Sequence, residues 1–121
     1  MSKNEQKVTN EPTQKIEVRL DTNVDLRIDV DGVVTEIKPN NAAEGYSLKE
    51  MYKMCNTDIV EHLYLPQNKI LIVDEEGALK EGRKINWEAT KLLSQVVLAI
   101  GRNPNTFIFG NVMLVDQKNV Q

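Results

Sequence analysis

Apolar and polar residues alternate in the first third of the chain, which predicts β-strands. Every second residue is apolar in Ile16–Leu20 and again in Val24–Val30, the pattern of a strand with one buried face. Asp31-Gly32 then fits the two central positions of a type I′ turn. We therefore expect residues 24–38 to form a β-hairpin, with Ile28 opposite Thr35.

The rest of the chain predicts two helices and three more strands. The first helix begins after Ser47, because Glu50 completes a capping box with this serine and apolar residues follow at helical spacing. Asn86 is expected to cap a second helix that ends near Ile100. The remaining strands are predicted at Ile59–Leu65, Lys69–Val73 and Phe107–Val115, the last of them bent at Gly110-Asn111.

The resulting order, β-β-β-α-β-β-α-β, predicts an α+β fold: a mainly antiparallel sheet with two helices packed on it. Residues 1–14 are polar apart from Met1 and Val8, and they are predicted to be a disordered tail. Residues 15–116 would form a single domain, and residues 117–121 a frayed C-terminus.

The composition opposes several classes of function. A net charge of −3 and a pI of about 5.2 oppose nucleic-acid binding through a broad basic surface. The single cysteine, Cys55, allows no intrachain disulfide and no cysteine-rich zinc site. The sequence shows no signal peptide and no apolar run that could span a membrane, so a cytoplasmic location is predicted. No cofactor and no metal is predicted.

Two acidic stretches invite an enzymatic interpretation. The residues from Asp29 to Thr35 are similar to the first motif of haloacid-dehalogenase-type phosphatases, DxDGVxT, in which two aspartates and Mg²⁺ act on a phosphate ester. The β-pattern that follows directly, and the absence of the later motifs, favour a hairpin turn instead. Asp74-Glu75-Glu76 could bind a divalent ion or supply a general acid and base. A solvated turn with Gly77 as its left-handed residue explains the same residues.

Other single residues have both a structural and a functional interpretation. His62 and Cys55 are favoured as packing residues rather than as a base or a nucleophile. Trp87 is either the edge of the core or an anchor on a binding surface. Lys80, Arg83 and Lys84 form a small basic loop that would support nucleic-acid binding only if Arg102 or Lys69 joined it in one patch.

Several blocks in residues 30–115 resemble domain of unknown function family 3846, small proteins of bacteria, phages and mobile elements. The blocks are SLKEMYKMC with the following NTDIVE, VDEEGAL, INWEAT and IFGNVMLV. NTD stands where the family pattern has Gly-Gly, and Asp74 stands where it has Asn. The resemblance implies a fold and a mobile-element context, and it implies no activity.

Three hypotheses follow. The leading one is a small non-enzymatic accessory protein of phage or mobile-element type that binds a host protein or a small ligand. The others are a metal-dependent enzyme acting on a nucleotide or phosphate ester, and a nucleic-acid-associated accessory protein. Open sheet edges also allow a homodimer. The predicted ligand-binding residues, where the family blocks recur, are Glu61, Glu75, Glu76, Gly77, Asn86 and Trp87; no catalytic residue is predicted.

Overall fold

The computed structural model describes residues 16–99 and 107–120. They form a five-stranded antiparallel sheet with one α-helix on each face. The strands are β1 (Asp25–Ile28), β2 (Val34–Ile37), β3 (Val60–Leu65), β4 (Lys69–Asp74) and β5 (Val112–Asp116), and the helices are α1 (Leu48–Cys55) and α2 (Trp87–Ala99). The predicted α+β class is confirmed. None of the helices in these residues is long and apolar enough to cross a bilayer.

The strand order is β2-β1-β5-β4-β3, so β5 lies between the two hairpins. Leu114 of β5 pairs with Leu26 on one side and with Leu71 on the other. All six residues of β4 are buried, because both faces of the sheet are covered. Its four central residues, Ile70 to Val73, are all apolar, as expected for a strand with a layer on each side.

The two faces have separate cores. Side chains that alternate along a strand point to opposite faces, and here both sets are apolar. The α2 face is formed by Leu26, Ile28, Leu71, Val73, Val112 and Leu114 with Ala89, Leu92 and Ile108. The α1 face is formed by Ile70, Ile72, Met113 and Val115 with Tyr46, Met51 and Cys55.

Helix α1 begins as predicted. The Ser47 hydroxyl accepts the Glu50 backbone N–H at 3.1 Å, and the Glu50 carboxylate accepts the Ser47 backbone N–H at 2.9 Å. This second bond is the main reason that the pKa of Glu50 lies below its usual value, in spite of partial burial; a further N–H from Asn40 adds to the effect. The helix ends at Asn56, whose φ of 53° closes it in the left-handed conformation.

The first hairpin differs from the prediction by one residue. Ile28 pairs with Val34 rather than with Thr35. Gly32 has a φ of +91°, but Asp31 is not among the residues with positive φ, so the predicted type I′ turn is wrong. The Gly32 N–H donates to Asp29 O at 3.0 Å, which is the pattern of a type I turn followed by a left-handed glycine. The extra loop residue shifts the register of β2.

The two ends of the predicted domain also differ from expectation. Residues 16–20 alternate between half-buried and exposed, as predicted, but they lie outside the five strands. We call residues 16–23 the strap. Residues 117–120, predicted to fray, form a short 3₁₀ turn and a bridge to Tyr46. The predicted disordered tail, residues 1–14, lies outside the described residues.

A buried carboxylate holds the C-terminal turn. Asp25 accepts hydrogen bonds from the Tyr46 hydroxyl at 2.8 Å, the Asn119 side-chain amide at 2.8 Å and the Asp116 backbone N–H at 2.9 Å. Burial, and then the charge and hydrogen bond of Asp25, raise the pKa of the Tyr46 hydroxyl well above its usual value. A buried carboxylate with three donors is satisfied, and these donors fix the turn to the sheet.

Candidate functional site

The segments that precede α2 and β5 form a small antiparallel ladder at one end of the sheet. Ile85 bridges to Phe109. The Asn86 N–H donates to Ile108 O at 2.7 Å, and the Gly110 N–H donates to Lys84 O at 3.0 Å. We call this ladder, residues 84–87 with 107–110, the junction. It contains two of the predicted binding residues, Asn86 and Trp87.

Asn86 is fully buried and uses its whole side chain inside the fold. Its amide nitrogen donates to Ile28 O and to Gly110 O, both at 2.9 Å. Its oxygen accepts the Ala89 N–H at 3.1 Å, which confirms that Asn86 caps α2. One side chain therefore joins β1, α2 and the segment that precedes β5, and it contributes to a surface only by positioning its neighbours.

Trp87 and Phe107 face each other across the junction. The ladder that pairs Asn86 with Ile108 puts Trp87 opposite Phe107. Their rings are 6.0 Å apart between centroids and perpendicular, the edge-to-face arrangement that aromatic pairs prefer. Trp87 is 62% exposed and Phe107 is 52% exposed. Trp87 is therefore not part of the buried core.

Beside the junction, Asp74 is the centre of a buried ionic cluster. Its side chain is 0% exposed, and its Oδ2 lies 2.8 Å from the Arg83 guanidinium and 3.1 Å from Lys80 Nζ. Its Oδ1 accepts the Thr57 hydroxyl at 2.9 Å and the Glu76 backbone N–H at 3.0 Å. Lys80 also donates to Thr57 Oγ1. The end of β4 is thus fixed to the loop that leads into α2.

The protonation of Asp74 follows from these contacts. Burial alone would raise the pKa of this carboxyl, but hydrogen bonds from Lys80, Glu76 and Thr57 outweigh it and hold the pKa below its usual value. Asp74 is therefore a carboxylate with its acceptor positions occupied. This arrangement is typical of a structural ion pair rather than of a general acid or base.

The other predicted binding residues lie around this cluster. Glu75 and Glu76 are exposed in the turn after β4. Gly77 is buried, and a Cβ there would lie 3.1 Å from Phe109 Cβ, so glycine permits close contact with the junction. The expected left-handed conformation at Gly77 is wrong, because Gly77 is not among the positive-φ glycines. Glu61 is exposed on the outer strand β3, opposite Val73.

The carboxylates of the phosphatase-like motif are in another environment. Asp31 is exposed at the hairpin tip, where it accepts the Val33 N–H. Asp29 pairs with Arg27 at 2.8 Å. Within residues 16–99 and 107–120, no group of three or more His, Cys, Asp or Glu side chains is placed to hold a metal ion.

Two of the three cations in the basic loop bind groups inside the fold. Lys80 and Arg83 contact Asp74, and Arg83 also donates to Asn56 O. Lys69 is buried and donates to Thr22 O at 2.7 Å. Arg102 lies outside the described residues. Lys80, Arg83 and Lys69 therefore bind groups inside the fold, whereas Lys84 is exposed.

His62 and Cys55 are packed against other side chains of the fold, Cys55 fully and His62 in part. Cys55 is fully buried, and burial, with the nearby charge of Asp74, raises the pKa of its thiol to about 12. Such a thiol is a poor nucleophile at neutral pH. His62 is half-buried on β3 with its ring edge-to-face with Tyr64 at 6.4 Å. Its buried Nε2 has no hydrogen-bond partner.

Sequence reasoning missed Phe107 and Thr57. Phe107 is recognisable as a partner of Trp87 only once residues 84–86 are known to pair with residues 108–110. Thr57 follows the C-cap of α1, so it has the sequence position of an ordinary turn residue.

Comparison of the chain with known proteins found no match among family models, curated proteins or solved structures.

Proposed function

We propose that this protein is a small non-enzymatic accessory protein that acts by binding a partner, and that the Trp87–Phe107 pair is the anchor of its binding surface. The observation that carries the proposal is the exposure of both rings in a fixed edge-to-face geometry. Trp is the residue most enriched at the energetic centres of protein interfaces.

The pair is held in place before any partner arrives. Trp87 directly follows Asn86, whose backbone and side chain make five hydrogen bonds within the fold. Phe107 directly precedes Ile108, whose N–H donates to the Thr90 hydroxyl at 2.9 Å. A side chain that is already ordered loses less entropy on binding, which favours affinity.

A host protein fits this surface better than a small ligand does. Small-molecule sites are concave and bury most of their ligand, whereas Trp87 and Phe107 expose more than half of their surface. The exposed carboxylates Glu75 and Glu76 follow β4, whose last residue joins the cluster beside the junction. They would supply a polar rim of the kind that surrounds an aromatic centre. The resemblance to family 3846 supports a phage or mobile-element setting.

Native mass spectrometry of protein purified from a bacterial host, before and after denaturation, tests the proposal. We expect an additional mass on the wild-type protein that is lost in Trp87→Ala and in Phe107→Ala. Tyr64→Ala is the matched control, because Tyr64, on β3, is a similarly exposed aromatic residue in an edge-to-face pair. The control should retain the additional mass.

Two results would contradict the proposal. Retention of the partner by Trp87→Ala would exclude the aromatic pair as anchor. A wild-type protein without additional mass would oppose the binding function itself. Phosphatase and nuclease assays on the wild type and on Asp29→Asn, Asp31→Asn, Glu75→Gln and Glu76→Gln variants would then test the enzymatic alternative.

A further inference from the structure

Among the described residues, few contacts connect the strap to the rest of the fold. Ile16, Val18 and Leu20 are half-buried against the α2-face core. The backbone of the strap belongs to none of the five strands, so it lacks the ladder of hydrogen bonds that secures β1. Three partly buried aliphatic side chains contribute only a fraction of what a fully buried set would.

Packing between the strap and α2 is incomplete. Two neighbouring cavities of about 470 and 350 Å³ lie there, and both are lined by Val18, Arg19, Leu92 and Gln95. Atoms that face a gap have no partner on that side and lose the corresponding dispersion energy. The strap is therefore held less tightly than the strands of the sheet.

The polar contacts of the strap are mostly internal. Arg19 pairs with Asp21 at 2.9 Å and with Glu17 at 3.2 Å, which links the strap to itself. Among the described residues, two contacts reach beyond the strap: Thr22 Oγ1 accepts the Val24 backbone N–H at 3.4 Å, and the buried Nζ of Lys69 in β4 donates to Thr22 O at 2.7 Å. Asp116 Oδ2 lies 3.8 Å from the same Nζ, so the ammonium keeps a second partner if the strap leaves.

From these contacts we propose that the strap is a hinged cover that opens as a unit while the sheet stays folded, with Lys69 as its latch. Opening uncovers the apolar side of α2 around Leu92, which lines both cavities, and Val96, which lines the smaller one. Segments with few buried contacts open at a lower free energy than the core. The proposal does not depend on the function proposed above.

Limited proteolysis of the full chain with trypsin tests this inference. Cleavage after Arg19 requires the strap to open, and cleavage after Arg27 requires β1 to leave the sheet. Each rate is read by mass spectrometry and normalised to the same bond in the urea-unfolded chain. We expect cleavage after Arg19 to be faster than cleavage after Arg27 by about tenfold or more.

Variants then test whether Lys69 holds the strap against the sheet. Lys69→Met removes the hydrogen bond to Thr22 O and should speed cleavage after Arg19 about fivefold while leaving the rate at Arg27 nearly constant. Val18→Ala, which weakens the apolar contact, should act in the same direction and serves if Lys69→Met fails to fold. Lys84→Met, which removes an exposed lysine elsewhere, should change neither rate.

Equal normalised rates at Arg19 and Arg27 in the wild type would overturn the proposal, since the strap would then open only with the sheet. An equal acceleration at both sites in Lys69→Met and Val18→Ala would also overturn it. In that case Lys69 would stabilise the whole fold rather than the strap.

Discussion

Asp74→Asn is the substitution whose effect the structure defines best. The change keeps the shape of the side chain but removes its charge, so Lys80 and Arg83 lose the carboxylate that both contact. The hydrogen bonds from Thr57 and Glu76 to Oδ1 can persist if the amide oxygen takes that position. The perturbation is therefore mainly electrostatic.

The expected cost can be worked out from the exposure of the two cations. Removing one partner of a buried ion pair destabilises a protein by about 3–5 kcal/mol. Lys80 is 33% exposed and Arg83 is 16% exposed, so both can regain some hydration when the carboxylate is lost. We expect a loss of about 2–3 kcal/mol in the free energy of unfolding, or about 10 °C in Tm.

Urea denaturation followed by circular dichroism measures this loss at pH 7, and a pH series tests its origin. The pKa of Asp74 is lower in the folded than in the unfolded protein. The unfolded chain thus binds more protons near and below pH 4, at the ordinary pKa of aspartate (about 3.9). The stabilisation by Asp74 is present above that pH and is lost as the pH falls through the folded pKa. The difference between wild type and Asp74→Asn should shrink there.

Glu75→Gln is the matched control, because it removes the same charge from the next residue, which is exposed. It should change stability by less than about 0.5 kcal/mol. The reasoning is refuted if Asp74→Asn costs no more than Glu75→Gln, or if the cost stays constant as the pH falls below the unfolded pKa.

Two further predictions concern positions where one residue joins several elements. Asn86→Ala should lower the free energy of unfolding by about 3 kcal/mol, because it removes a helix cap and two buried hydrogen bonds. Ser47→Ala, which removes only a cap, should lower it by about 1 kcal/mol. Equal losses in urea denaturation would show that the bonds from Asn86 to Ile28 O and Gly110 O contribute nothing. Gly45→Ala should cost about 2 kcal/mol or more, since Gly45 has a φ of +80° and a Cβ there would collide with the Asn119 carbonyl. Gly32→Ala has a similar φ but open space around it, so thermal unfolding should show a loss of only about 1 kcal/mol.

Local signals in the sequence predicted most of the elements. The capping box at Ser47, the cap at Asn86 and the bend at Gly110 are all present, because each depends on residues close together in the chain. The register of the first hairpin could not be predicted. Asp31-Gly32 fits both a two-residue turn and a longer loop with one left-handed glycine, and only the φ of Asp31 distinguishes them.

The candidate site was predictable in part. Residues Glu75 to Asn86 were correctly placed in the segment between β4 and α2, since turn and cap patterns define it. The Asp74 cluster and the Trp87–Phe107 pair were not predictable, because they join segments whose approach is set by the sheet. The basic loop and the acidic turn look like two surfaces in the sequence, but in the fold Lys80 and Arg83 pair with the buried Asp74.

The central place of β5 has a consequence for how the chain folds during synthesis. Each hairpin pairs neighbours in the chain, but only β5 connects the two, through pairs such as Leu26 with Leu114. Contacts between residues so far apart form late and slowly. Until residues 112–116 leave the ribosome, any hairpin that the nascent chain has formed has its inner edge, β1 or β4, unpaired. During that interval it is most open to chaperones and to aggregation.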